Sequence, residues 1–181
     1  MPSDKIVTAL TSGGVGVIPT DTTYGIVGSA FTRGAVERIY KLRRRDSDKP
    51  FIILIGDRKD LGRFGVVTTK AEKKILDHVW PGAVSVILPC ADPTLAYLHR
   101  GKNTLAFRLP AKIDLTELLS KTGPLVAPSA NPQGMPVATT IAEARTYFGN
   151  EMDFYQDGGT IIAPPSRLIE IWNGVEKVLR D

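Results

Sequence analysis

The sequence predicts an α/β fold, a mixed sheet flanked by helices, as a single domain over residues 1–181. Three observations predict it. Short apolar runs alternate with amphipathic segments along the chain, the order expected of an α/β protein. Phe51-Ile52-Ile53-Leu54-Ile55 is apolar at every position, which suits a strand covered on both faces. Asn173-Gly174 between two apolar runs is a strong hairpin signal, so an antiparallel pair stands beside helix-connected strands. No repeat, linker or shift of composition divides the chain.

The elements follow in order. Residues 4–12 read as a helix ended by Gly13-Gly14, glycine being at ease in the left-handed conformation past a last turn. Val15–Ile18 reads as a strand running into Pro19, and Pro19–Gly25 as a polar strand-to-loop turn. A helix begins near Gly34. Thr69-Lys70-Ala71-Glu72 is a capping box that opens a helix through Val79. Pro81-Gly82 breaks the chain before the strand Val84–Leu88. Thr104–Arg108 alternates like a strand, Asp114–Lys121 is a helix with Gly123 behind it, and Leu125–Ala127 is a short strand. Thr140-Ile141-Ala142-Glu143 is a second capping box, and Leu168–Trp172 with Val175–Leu179 forms the hairpin.

Composition narrows the function. At 43% hydrophobic and 23% charged the chain is globular rather than disordered or low-complexity. No run approaches the roughly 18 apolar residues of a membrane span, so no membrane partner is expected. The first residues, Met-Pro-Ser-Asp-Lys, carry no apolar signal core, and a lone cysteine, Cys90, fits a reducing cytoplasm. The net charge is only +4, but six basic residues crowd between Arg38 and Lys49. Val36, Ile39, Tyr40 and Arg43 share one helix face, so Arg43 follows the apolar stripe inward. A buried cation is costly unless it meets an anion or lines a polar cavity, which points to an anion site.

Further polar clusters stand at strand ends, where open α/β sheets place ligand groups. Pro19-Thr20-Asp21-Thr22-Thr23-Tyr24-Gly25 offers hydroxyls, a carboxylate and a phenol. Pro128-Ser129-Ala130-Asn131-Pro132 holds Ser and Asn on a stiff loop, and Arg108 precedes Pro110 by two residues. Against these stand several negatives. His78 and His99 have no partner at metal spacing. No Walker A motif, dinucleotide fingerprint or nucleophile elbow is present, and Cys90 has no base in sequence reach.

Together these motifs resemble the YrdC/Sua5 family. The resemblance rests on Pro19–Gly25, Arg43-Arg44-Arg45 running into Lys49-Pro50, Trp80-Pro81-Gly82, Arg108-Leu109-Pro110, Ser129-Ala130-Asn131 and Pro165-Ser166, in that order over residues 4–172. The length resembles the single-domain, TsaC-type form. The resemblance implies a twisted sheet around a basic concave cavity. It also implies a nucleotidyltransferase, an L-threonylcarbamoyladenylate synthase that joins L-threonine, bicarbonate and ATP for the t6A modification of tRNA. Proteins of the t6A transfer complex and tRNA are the implied partners, and Mg2+ would screen the phosphates of ATP without a dedicated carboxylate cage. Carried over by position, Thr22 contacts threonine with Thr23 and Tyr24 shaping its pocket. Arg43, Arg45 and Lys49 carry the catalysis, with Arg45 and Lys49 facing the triphosphate. Thr104 and Arg108 bridge nucleotide and threonine carboxylate, Ser129 and Asn131 hold the nucleotide, and Ser166 closes the threonine side. No residue is expected to ligate a metal.

This chain departs from the family pattern at named places. Arg43-Arg44-Arg45-Asp46 stands for Lys-x-Arg-Pro, Ser85 for the Thr after Pro-Gly-Pro, Gln133 for a Ser, and Ser166-Arg167 for Ser-Thr. A diverged paralogue of the YciO branch is one alternative to the synthase. A non-catalytic RNA-binding module using the Arg38–Lys49 patch is another, and that one lacks the interleaved aromatics of single-strand binders apart from Tyr40.

Overall fold

The computed structural model describes residues 3–181; Met1 and Pro2, on which the reading of the N-terminal segment partly rests, lie outside the described residues. Among the described residues nine strands form one mixed sheet in the order β7-β1-β2-β6-β3-β5-β4-β8-β9. They are β1 (Val15–Pro19), β2 (Tyr24–Ser29), β3 (Ile52–Leu54), β4 (Val84–Pro89), β5 (Thr104–Arg108), β6 (Leu125–Val126), β7 (Phe154–Tyr155), β8 (Arg167–Trp172) and β9 (Val175–Arg180). The pairs β1–β7, β3–β5 and β4–β8 are parallel and the rest antiparallel, so the sheet is mixed as expected.

Side-chain alternation divides the sheet into two faces. On one, Ile18, Val27, Leu54 and Leu125 pack under α1 (Asp4–Thr11) and α5 (Ile113–Thr122). On the other, Val17, Ile26, Ile53, Phe107 and Ile169 meet α2 (Arg33–Arg43), α3 (Lys70–Val79) and α6 (Ile141–Phe148). A short helix α4 (Ala96–His99) lies beside α2. Each fully buried Leu or Ile in these layers contributes roughly 1.5–3 kcal/mol, so the two clusters fix the sheet between its helices.

Several local expectations change. The polar stretch after β1 is the loop of a hairpin, because Pro19 pairs with Tyr24 and β2 continues from there. Two glycines inside β2 thin its apolar pattern, and Gly28 is where α2 comes closest: a Cβ there would meet Ala35 and Ile39 at 3.2 Å. β3 keeps only the middle of the Phe51–Ile55 run, although the Ile55 N–H still donates to the Arg108 carbonyl at 2.9 Å. The Thr69–Glu72 capping box forms in both directions. The second box forms by half: Thr140 Oγ1 accepts from the Glu143 N–H, but the Glu143 carboxylate reaches one residue further back, to the Thr139 N–H at 2.7 Å. The 3-10 turn Arg58–Phe64, α4 and the two-residue β7 carry no pattern long enough to read in sequence. The terminal hairpin forms as expected, with Asn173 and Gly174 both at positive φ, 51° and 75°.

Candidate functional site

α1 and α5 do not cover the whole of their face. Gly25 of β2, Ile52 of β3, Ala127 just past β6 and Arg108 at the end of β5 lie on the same face by alternation, and they form part of the wall of an open cleft. Thr20, Thr22 and Thr23 line it from the β1–β2 loop, and Ser166 from the start of β8. Arg43, Arg45 and Arg180 bring three further cations. The cavity measures about 170 Å³, below the roughly 300–1,000 Å³ of clefts that enclose drug-sized ligands. It therefore has room to enclose a small polar molecule, and a larger one would lie partly outside.

The β1–β2 loop is organised by Thr20. Its Oγ1 accepts the Thr22 and Thr23 N–H groups at 3.2 Å and donates to the Thr23 carbonyl at 2.7 Å. Those bonds hold the Thr22 Oγ1 where Arg108 Nη1 donates to it at 3.0 Å. Arg108 is 4% exposed, and its Nη2 lies 3.0 Å from Asp21 Oδ1. Charge holds that pair without hydrogen-bond alignment, and Arg108 Nε has no hydrogen-bond partner among the described residues. Burial pushes the Arg108 guanidinium down, with Asp21 opposing and Arg180 adding to the shift. On the far wall, Ser166 Oγ shares a 2.9 Å hydrogen bond with Ser85 Oγ, and Arg180 Nη2 donates to the Ser166 carbonyl at 2.7 Å.

Arg43 is buried as its helical position predicts, at 4% exposure. Its guanidinium meets neutral acceptors and no carboxylate: Nε donates to the Asn131 carbonyl at 2.8 Å, and Nη2 to Asn131 Oδ1 at 3.0 Å and Ser129 Oγ at 3.2 Å. Burial pushes it down to about 10, with the Arg45 charge adding to the shift, so it stays a cation at neutral pH. Ser129 Oγ in turn donates to Asn131 Oδ1 at 2.7 Å, and Asn131 Nδ2 donates to the Met135 carbonyl at 2.6 Å. Arg43 thus shapes the 129–131 loop while its edge lines the cleft. Arg45 is half-buried, its Nε donating to the Lys49 carbonyl at 3.1 Å. Burial lowers its pKa too, opposed by Tyr40 and Asp46.

The structure brings together Thr22, Thr23, Arg43, Arg45, Arg108, Ser129 and Ser166. Four expected residues, Tyr24, Lys49, Thr104 and Asn131, stand outside this lining. Tyr24 points to the opposite face, fully buried, because it alternates with Gly25; its Oη donates to the Gly159 carbonyl at 2.7 Å and accepts from the Gly158 N–H at 2.8 Å. Lys49 Nζ is exposed and paired with Asp46 at 2.5 Å. Thr104 opens β5, four residues or roughly 13 Å from Arg108 along an extended strand. Asn131 touches the cleft only through Ser129 and Arg43. Thr20 stood in the polar stretch Pro19–Gly25 without a role of its own, and Arg180 was not legible as a site residue; the signal for Arg180 is its place opposite Leu168, on the cleft face of the hairpin.

Two departures from the family pattern face each other. The Asp46 N–H donates to Gln133 Oε1, and Gln133 Nε2 to Asp46 Oδ2, each at 3.0 Å, tying the basic loop to the loop after Asn131. No carboxylate lines the cleft, and no cluster of three metal-ligating side chains exists among the described residues. The donor set does not fit a resident metal ion. Four arginines and a row of hydroxyls fit an anionic ligand carrying further hydrogen-bonding groups.

Comparison with known proteins finds relatives in sequence and in fold. The model of a family described as Sua5_yciO_yrdC, telomere recombination, matches residues 8–181. A threonylcarbamoyl-AMP synthase of Idiomarina loihiensis is 32% identical over 173 residues, covering 93% of this chain and 91% of that protein. The crystal structure of Pyrococcus abyssi Sua5 complexed with L-threonine superposes with a TM-score of 0.89 at 27% identity over 97% of this chain, which spans 52% of that one. Escherichia coli YciO shares the fold, with a TM-score of 0.86 at 22% identity, covering 98% of this chain and 87% of that one.

Proposed function

Because this chain belongs to the Sua5/YciO/YrdC family, we propose that it is a threonylcarbamoyl-AMP synthase supplying the t6A modification of tRNA. The observation that carries the reading is the cleft, where four arginines converge beside threonine and serine hydroxyls with no lining carboxylate among the described residues. In the proposed reaction the threonine amine takes the carbon of bicarbonate with loss of water. The resulting carbamate oxygen attacks the α-phosphorus of ATP, the bond from that phosphorus to the bridging oxygen breaks, and its electron pair leaves with pyrophosphate. Such a nucleotidyl transfer needs orientation and charge stabilisation more than a protein nucleophile.

The residues divide the work. Arg108, steadied by Asp21, pairs with the threonine carboxylate; Thr22 and Ser166 offer hydroxyls, and Thr23 lines the same end. Arg45 and Arg180 face the phosphates, and Ser129 meets the nucleotide, with Arg43 and Asn131 shaping its loop. Lys49 joins the phosphates once it exchanges Asp46 for them, and Thr104 serves a nucleotide extending past the enclosed volume. Mg2+ would screen the phosphates of ATP that Arg45 and Arg180 face, without a dedicated carboxylate cage. The adenylate passes to t6A transfer proteins and tRNA in the cytoplasm.

The test is pyrophosphate release by the purified chain with ATP, bicarbonate and L-threonine. Release that depends on all three is expected, and release indifferent to threonine would sink the reading. One observation favours a second reading, a diverged YciO-like paralogue: Arg43 stands where the family usually has lysine, and neutral acceptors already occupy its guanidinium. That reading predicts ATP binding without threonine-dependent turnover.

A further inference from the structure

We propose that Tyr40 is a positioning residue that holds Arg45 at the cleft by fixing both the carbonyl and the ring that the Arg45 guanidinium uses. Tyr40 sits in the last turn of α2, 6% exposed, and does not itself line the cleft. It reaches Arg45 by three routes. The Arg45 N–H donates to the Tyr40 carbonyl at 3.1 Å. The Tyr40 hydroxyl donates to the Lys49 carbonyl at 2.9 Å, and Arg45 Nε donates to the same oxygen at 3.1 Å. A carbonyl oxygen has two lone pairs, so these donors use both and fix each other's direction.

The third route is through rings. Tyr40 stacks on Phe51 with centroids 4.0 Å apart and planes 24° apart, and the Arg45 Cζ lies 5.5 Å from the Phe51 centroid. On the outer side, the Arg100 Cζ lies 4.0 Å from the Tyr40 centroid, and Arg100 Nη2 lies 3.0 Å from Glu37. The series Arg100, Tyr40, Phe51, Arg45 runs cation, ring, ring, cation, with two stacked rings between two cations, each step within the range of cation–π or stacking contact. Residues 44–51 form neither helix nor strand, so these contacts set the orientation of Arg45 where no ladder of backbone bonds does.

The ligand in this inference rests on the synthase reading; the geometry does not. Tyr40→Phe removes the hydroxyl and keeps the ring. In the full chain the Nε–Hε NMR signal of Arg45, identified by its loss in Arg45→Lys, is expected to shift and broaden in Tyr40→Phe. Phe51→Leu, which keeps the hydroxyl bond and removes the ring step, is expected to move it as well. Tyr155→Phe removes a comparable bond, to the Gly149 carbonyl at 2.7 Å away from the cleft, and leaves the signal in place. In turnover, Tyr40→Phe raises the KM for ATP roughly three- to tenfold, the size of one hydrogen bond, with kcat and the KM for threonine within about twofold. An unmoved Arg45 signal in Tyr40→Phe, or equal rises in both KM values, overturns the role of Tyr40. Absence of threonine-dependent turnover in the unmodified chain overturns the synthase reading instead, and the NMR comparison still decides the positioning role.

Discussion

Arg43 and Arg45 stand two residues apart and do different work. Arg43 spends its donors on the Asn131 carbonyl, Asn131 Oδ1 and Ser129 Oγ, from a buried position. A lysine ammonium cannot present that planar fork. Arg43→Lys is therefore expected to lower stability by about 1–3 kcal/mol, read from the urea midpoint, by leaving buried acceptors unmet. Arg45→Ala removes a half-exposed side chain, with an expected stability change under about 1 kcal/mol. Its effect falls on the KM for ATP, expected to rise at least about tenfold, the loss of one charge-assisted contact. Equal stability losses in the two variants would show that the division is wrong. The inward direction of Arg43 was legible from its place three, four and seven residues along a stripe; what it bonds to was not, because Ser129 and Asn131 come 86 and 88 residues later in the chain. Tyr24 shows the reverse failure. It belongs to a polar motif in sequence, yet strand alternation turns it from the cleft and gives the cleft Gly25 instead.

Among the elements, Asp153 joins three segments. Its Oδ2 accepts the Val15 N–H at 2.7 Å and Arg38 Nη1 at 2.6 Å, tying the start of β1 to α2 and to the turn before β7. Partial burial pushes this carboxyl up, but the Arg38 guanidinium and the Val15 N–H outweigh it and hold it below the ordinary 3.8. A lowered folded-state pKa adds stability that is present above the unfolded value and lost as pH falls through the folded one. Thermal unfolding between pH 5 and pH 2, in the range where carboxylates titrate, is the measurement. Asp153→Asn is expected to lower stability at the upper end of that range and to flatten its dependence on pH; an unchanged slope counts against the tie. The helices were legible at this scale because caps and 3.6-residue stripes are local. β2 was not, because two glycines thin its pattern, and the 3-10 turn was too short to show one. β7 forms through a partner distant in sequence: Gly16 of β1 has no side chain where the Phe154 ring lies, 2.5 Å from a would-be Cβ.

Across the whole molecule, the cleft is the part of one sheet face that α1 and α5 leave bare, and its cations come from three regions of the chain. Arg43 ends α2 and Arg45 follows it, Arg108 ends β5, and Arg180 ends β9. The basic run of residues 38–49 announced the first pair, and a strand ending before proline announced Arg108. Arg180 became a site residue only through the sheet order, which sets β9 beside β8 and β8 beside β4.

That order places Arg180 on a strand with a single neighbour, every residue of which is exposed. Such a strand frays, opening and reclosing far more often than the sheet centre. With threonine on Arg108 and the phosphates on Arg180, the bound substrates span β5, β4, β8 and β9, and so suture the loose margin to the rigid middle. Occupancy is expected to slow amide deuterium uptake along the β8–β9 hairpin, including at Ile171 and Glu176, well beyond the atoms that touch the ligand. Uptake there unaltered by saturating ATP and threonine would mean that Arg180 takes no part in holding them.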